Sequence, residues 1–162
     1  MERYAQAREN AVKQLSLADH VLTMTYPLVQ DPKLLKLVMK NVYLAMESTV
    51  IMLLQYERNY KRVPVFNETF PSMIPLLGNV LERYRISRGY IGFLNEIQEM
   101  MDRQAESDVE FVRKDKFVFA TKDYDLSTIS TKEIKDYLAK AKLFMQEIMG
   151  VVKENERITG KR

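Results

Sequence analysis

The chain contains no cysteine and no tryptophan, a single histidine, and only five glycines and five prolines in 162 residues. Without cysteine there is no disulfide, no thiolate metal site and no cysteine nucleophile. One histidine excludes a histidine-rich metal cluster. Neither GxxxxGK[ST] nor GxGxxG occurs, so the common phosphate-binding loops are missing. The N-terminal stretch MERYAQAREN is charged where a secretory signal needs an apolar core, which makes the cytoplasm the expected location. A large excess of one charge is lacking too. Lys and Arg number 25 against 22 Asp and Glu, for a net charge of +3. The chain leans basic without the surplus that would demand a nucleic-acid partner.

What is present is the composition of a globular protein, 46% hydrophobic and 29% charged. One domain over residues 1–155 is expected, with 156–162 as a flexible tail. The strongest signal is the stretch from about Asp31 to Tyr60. Leu35, Val38, Val42, Ala45, Thr49, Met52, Leu53 and Tyr56 fall on one helical arc, flanked by Met39 and Met46. Leu37, Leu44 and Ile51 form a second apolar row, leaving a narrow strip with Lys36, Lys40, Glu47 and Arg58 for water. A helix apolar nearly all round is buried on several sides, by its own chain or by a second subunit. Its charges argue against a membrane span. Leu37, Leu44 and Ile51 are therefore the expected dimer contacts.

The remaining elements follow the same logic. Tyr4, Ala7, Ala11, Leu15, Ala18 and Leu22 repeat at helical spacing before Pro27. Asp31 reads as an N-cap with Pro32 at the first helical position. Three prolines confine any helix after Tyr60 to short pieces, one running from Pro75 to about Tyr84. Ser87 is the expected cap of the next helix, which ends near Gln104. Alternation at Val109, Phe111, Phe117 and Phe119 marks a short hairpin or extended loop. Ser130-Thr131-Lys132-Glu133 is a capping box opening the last helix. The predicted fold is all-α, a four- to five-helix up-and-down bundle with a short β-like hairpin or extended loop before the last helix.

Few residues stand out for chemistry. His20 lies opposite the buried stripe of the first helix and reads as an exposed residue, with nothing placed to orient it as a base. Glu47 interrupts the greasiest stretch, but its angle places it in the solvated strip beside Lys40. The ten methionines sit almost wholly at core spacing. Glu96, Glu99, Asp102, Glu106, Asp108 and Glu110 offer carboxylates without the loop spacing of a known cation site. Basic residues gather twice, at Arg83, Arg85 and Arg88, and at Arg113, Lys114 and Lys116, with Tyr84, Tyr90 and Phe117 interleaved. Arginine and lysine beside aromatics suit single-stranded RNA, through phosphate contact and stacking. Glu82 and Asp115 partly neutralise the two groups.

This layout resembles the HEPN superfamily over roughly residues 5 to 150. The resemblance is carried by Ala11-Val12-Lys13-Gln14-Leu15 with Ala18, by Tyr43-Leu44-Ala45-Met46-Glu47 with Leu53-Leu54, by FPSMIPLL, and by the final helix DYLAKAKLFMQEI. It implies a four- or five-helix bundle, usually a homodimer. Many members are RNases or toxins partnered by nucleotidyltransferase-like antitoxins; others are non-catalytic RNA-binding modules. Active members carry an arginine, four to six residues, then a histidine. Here Arg103 is followed at the matching distances by Asp108, Val109 and Glu110, and Arg88 by Phe93, Leu94 and Asn95. The expectation is a non-catalytic, homodimeric module that binds RNA or a partner protein and needs no cofactor. The alternative is an enzyme or sensor with a small-molecule or metal pocket between helices.

Overall fold

A computed structural model describes residues 2–107, 109–114, 116–120 and 126–160. Helix α1, Glu2–His20, runs without a break into a π-helical turn, Val21–Thr25, and a last helical turn α2, Tyr26–Val29. Gln30 reverses the chain in the left-handed region at φ 53°. The central helix α3, Pro32–Asn59, then starts on Asp31, whose carboxylate accepts from the Lys33 N–H at 3.0 Å. It packs antiparallel to α1. Ala7, Ala11 and Ala18 lie on the seam, essentially inaccessible to solvent, because small side chains let the two backbones approach closely. α3 has the length and apolarity of a membrane span, yet 72% of its apolar stretch is buried inside the fold. This chain covers the second apolar row in part itself. Ile51 is only 5% exposed and belongs to the core, so it is withdrawn from any dimer contact; Leu44 is half-buried and Leu37 exposed.

Helix α4 covers more than the sequence predicts, Phe70–Arg83 rather than Pro75 onward. Pro71 sits in its first turn, where no N–H is needed. Pro75 forfeits one backbone hydrogen bond on an exposed face, and the helix continues through it. The Tyr43 and Phe70 rings, 5.2 Å apart, seat the start of α4 on α3. Helix α5 spans Gly89–Ala105; the Ser87 hydroxyl accepts from the Gly89 N–H, one residue before the geometric cap at Arg88.

Of the two readings of this segment, hairpin or extended loop, the hairpin forms, with β1, Val109–Arg113, antiparallel to β2, Lys116–Ala120. A third strand, β3, Leu126–Ser130, was not expected and makes a sheet of order β1-β2-β3. A two-stranded ribbon is marginal alone, and the third strand supplies the missing pairing. β3 leads straight into helix α6, Thr131–Thr159, through the complete capping box of Ser130 and Glu133. α6 runs through Gly150 and past residue 155, where the flexible tail was expected. Thr159 still bonds the Asn155 carbonyl and the Tyr60 hydroxyl, so residues 156–159 belong to the bundle. Residues 161 and 162 lie outside the described residues.

Candidate nucleic-acid interface

The two basic groups lie at opposite ends of α3. Lys36, near its start, pairs with Glu110 of β1 at 2.8 Å, and Glu57, near its end, pairs with Arg83 at 3.0 Å. They are 21 residues apart, about 30 Å along a helix. The structure therefore does not join Arg83, Arg85 and Arg88 with Arg113, Lys114 and Lys116 into one surface.

At the α3 C-terminal end Arg62, Arg83 and Arg88 are engaged, while Arg85 makes no ion pair or side-chain hydrogen bond among the described residues. Glu57 is completely buried, and its Oε2 accepts from Arg83 Nη1 at 3.0 Å and Arg62 Nη1 at 3.3 Å. Arg62 also donates to the Tyr84 hydroxyl at 3.1 Å and covers the Tyr60 ring at 5.0 Å. Burial, then Glu57, holds the Tyr84 hydroxyl far above the usual range. Arg88 lies 3.5 Å from Glu82. Tyr90, proposed from sequence as an interleaved aromatic, is buried against Phe144 at 4.8 Å. Both helix ends here close with the same pair of backbone bonds. Lys61 and Arg85 adopt φ near 57° and donate to the carbonyls of Arg58 and Glu82, while the next N–H groups reach Glu57 and Leu81. Sequence reading missed Glu57. A signal existed: it follows Val50 by seven residues and Met46 by eleven, on the buried flank of α3.

The sheet end is different. Side chains of directly paired antiparallel residues share a face. The register aligns Phe111 with Val118 and Val118 with Thr128, and likewise Arg113 with Lys116 and Lys116 with Ser130. These form the outer face. Phe117, Phe119 and Ile129 fall on the inner face, 5%, 2% and 2% exposed. Phe117 is therefore a core residue and not the stacking partner its neighbourhood in sequence implied, because strand alternation turns it away from Lys116. Tyr26 and Gln30 from the end of α2, and Thr131, Lys132 and Lys135 from the start of α6, join the outer face in lining a groove of about 1110 Å³. Val118 lies in it at 6% exposure, while Phe111 and Leu126 stand 44% and 64% exposed.

The described lining carries five basic side chains, Arg113, Lys114, Lys116, Lys132 and Lys135, and no carboxylate. None of the five makes an ion pair or side-chain hydrogen bond among the described residues. The nearby acids among the described residues point elsewhere. Glu110 is on the inner face with Lys36, and Glu133 is held by Ser130 in the capping box. Asp115, expected to offset this group, lies outside the described residues. The N-terminus of α6 adds the positive end of a 29-residue helix. Lys114 is in the left-handed region at φ 57°. Chemically, the groove can hold a chain of phosphates along its rim and flat apolar groups on its floor. Tyr26, Phe111, Lys132 and Lys135 were not singled out from sequence. Alternation alone places Phe111 beside Arg113, whereas the other three need the tertiary fold.

The other candidates resolve into ordinary surroundings. His20 is exposed, as expected. Glu47 is half-buried instead of solvated beside Lys40. It accepts from the Tyr43 hydroxyl at 3.3 Å, which also reaches Gln98 at 3.1 Å, and burial raises its carboxyl above the usual range. The same burial, with Glu47, pushes the Tyr43 hydroxyl up to about 12. Among the described residues no three acids or histidines gather as metal ligands, and Asp108 is not among them. The space between sheet and helices, lined by Leu35, Met39, Met100, Phe117 and Ile134, measures about 10 Å³, room for a water and not for a ligand. No family model, curated protein or solved structure matches this chain.

Proposed function

We propose that this chain is a non-catalytic, HEPN-like helical bundle that binds RNA in the groove on the outer face of its sheet. The supporting observation is the set of five basic side chains lining that groove, with neither a salt-bridge partner nor a carboxylate in the lining among the described residues. A structural role for such charges would pair them, as Glu57 pairs Arg62 and Arg83 at the far end. Catalysis has no support from the residues: the lone histidine is exposed and the Arg-x4–6-His pattern is missing. Binding of a labelled RNA oligomer should weaken steeply as salt rises, because phosphate contact releases counterions. Replacing Arg113, Lys114 and Lys116 together by alanine should remove most of the affinity without changing the melting temperature. Retained affinity in that triple variant would rule out the groove.

Homodimerisation is part of the same proposal. Exposed Leu37 and half-buried Leu44 carry it, Ile51 no longer contributing. Light scattering should give a dimer mass that Leu37→Glu with Leu44→Glu reduces to a monomer. A monomer in the unaltered protein would end that part of the reading and leave the groove standing.

A further inference from the structure

We infer that the groove selects unpaired nucleotides, stacking one base on Phe111 and a second on Tyr26, and discriminates against duplex. This rests on the RNA reading and specifies the form of RNA the site takes. Phosphate binding alone would need only a charged surface, yet this groove has an apolar floor. Phe111 is the only exposed phenylalanine among the described residues, and it stands on the sheet face directly opposite Val118. Tyr26 lines the groove from helix α2, and Lys132 and Lys135 line it from α6. Leu126, 64% exposed, extends the apolar surface beside them.

Three short strands bound the site physically. At about 4.8 Å between strands and about 3.3 Å per residue, the outer face measures roughly 10 Å by 17 Å. That accommodates a few nucleotides, and sheet-borne aromatics elsewhere stack two or three bases. Every base has a π-face, so stacking tolerates sequence, but in a duplex those faces are already covered by neighbouring bases. The basic rim would then follow the backbone. Arg113, Lys114 and Lys116 lie at the β1–β2 turn, and Lys132 and Lys135 at the start of α6. An acidic, apolar peptide is the competing occupant. The groove favours RNA over it because it offers one aromatic on the sheet floor, Phe111, and one from α2, Tyr26, instead of a closed pocket for an aliphatic side chain.

The experiment is fluorescence anisotropy at fixed salt with a labelled single-stranded RNA ten-mer, the same sequence as a blunt duplex, and polyglutamate as competitor. The unaltered protein should prefer the single strand by about tenfold or more. Phe111→Ala should weaken single-strand binding between about 5- and 150-fold, the range for loss of one base stack. It should leave duplex affinity and the salt slope unchanged, and Phe111→Tyr should restore binding. Phe111 is half-exposed, so circular dichroism should show each variant folded. Equal affinity for both RNA forms, or an unaffected Phe111→Ala, would overturn single-strand stacking while leaving salt-sensitive RNA binding intact. Failure to bind either RNA, or displacement by polyglutamate at equal charge concentration, would instead remove the RNA reading itself, and the inference with it.

Discussion

The two ends of α3 carry similar sequence chemistry, basic residues beside aromatics, and the fold treats them oppositely. At the C-terminal end Glu57 is buried between two arginines, and the aromatic rings pack on one another: Tyr4 on Tyr56 at 5.6 Å, Tyr56 on Tyr60 at 5.2 Å. The Tyr56 hydroxyl is bonded by Asn155, which ties α3 to α6. Charge there is spent on holding helix ends together. At the sheet end the basic side chains line a groove without partners among the described residues, and aromatic and aliphatic groups stand exposed beside them. The lesson is that a basic-aromatic run in sequence has no fixed meaning. What decides is whether the chain supplies a buried counter-charge within reach.

The largest test of this contrast is Glu57→Ala. Removing the buried carboxylate strands two guanidiniums that are already 32% and 40% exposed, so the lower end of the usual cost applies, about 3 kcal/mol. For a chain of this size that is a fall in Tm of about 10 °C by calorimetry. RNA affinity measured below that temperature should not change. A variant that keeps its Tm but loses RNA would invert the comparison.

Backbone strain sharpens it at smaller scale. Lys61, Arg85 and Lys114 all occupy the left-handed region, which glycine adopts more readily. Lys61→Gly and Arg85→Gly should each stabilise by about 0.5–1 kcal/mol in urea denaturation, with RNA binding untouched. Lys114→Gly should stabilise similarly and weaken RNA binding. Equal behaviour of all three would mean that the groove lysine is no more functional than the helix-end residues.

The smallest effects concern two carboxylates on the flank of α3. Burial raises Glu47, whereas the hydrogen bond from Arg3 lowers Glu68. A raised folded-state carboxyl means the native protein binds more protons, so its contribution to stability falls as pH climbs from the ordinary carboxylate value through the raised one. The lowered carboxyl does the reverse: its stabilisation is present above the ordinary value and lost as pH falls through the depressed one. Glu47→Gln should therefore raise Tm slightly at pH 7 and not at pH 4, and Glu68→Gln should lower it at pH 7. Both shifts should be under about 1 kcal/mol, because the groups are partly solvated. Thermal melts across pH 4–8 check the signs.

The helices were largely legible in the sequence because their signals are local. Asp31 before Pro32, and Ser130 with Glu133, mark helix starts within four residues, and the stripes of α1, α3 and α6 repeat over several turns. Strand β3 was not legible, since LSTIS is too short to declare a period and its pairing with β2 shows only in the fold. The start of α4 at Phe70 was hidden by Pro71 and Pro75, whose cost depends on which face meets solvent. For the groove, Arg113, Lys114 and Lys116 could be named in advance, but their direction could not. Phe117 and Phe111 are equivalent in composition, which does not say which side of a strand faces the core. Tyr26, Lys132 and Lys135 come together with them only through the packing of α2 and α6 about the sheet.

The central claim is that the sheet end binds RNA and the far end does not. It is tested most directly by salt titration of RNA affinity for two charge-matched variants, Arg113, Lys114 and Lys116 to alanine, and Arg83, Arg85 and Arg88 to alanine. The first should lose affinity and flatten the dependence of log K on log salt by about 2, as expected for three lost contacts to a single strand. The second should bind as the unaltered protein does. Equal losses, or loss in the second variant alone, would contradict the account.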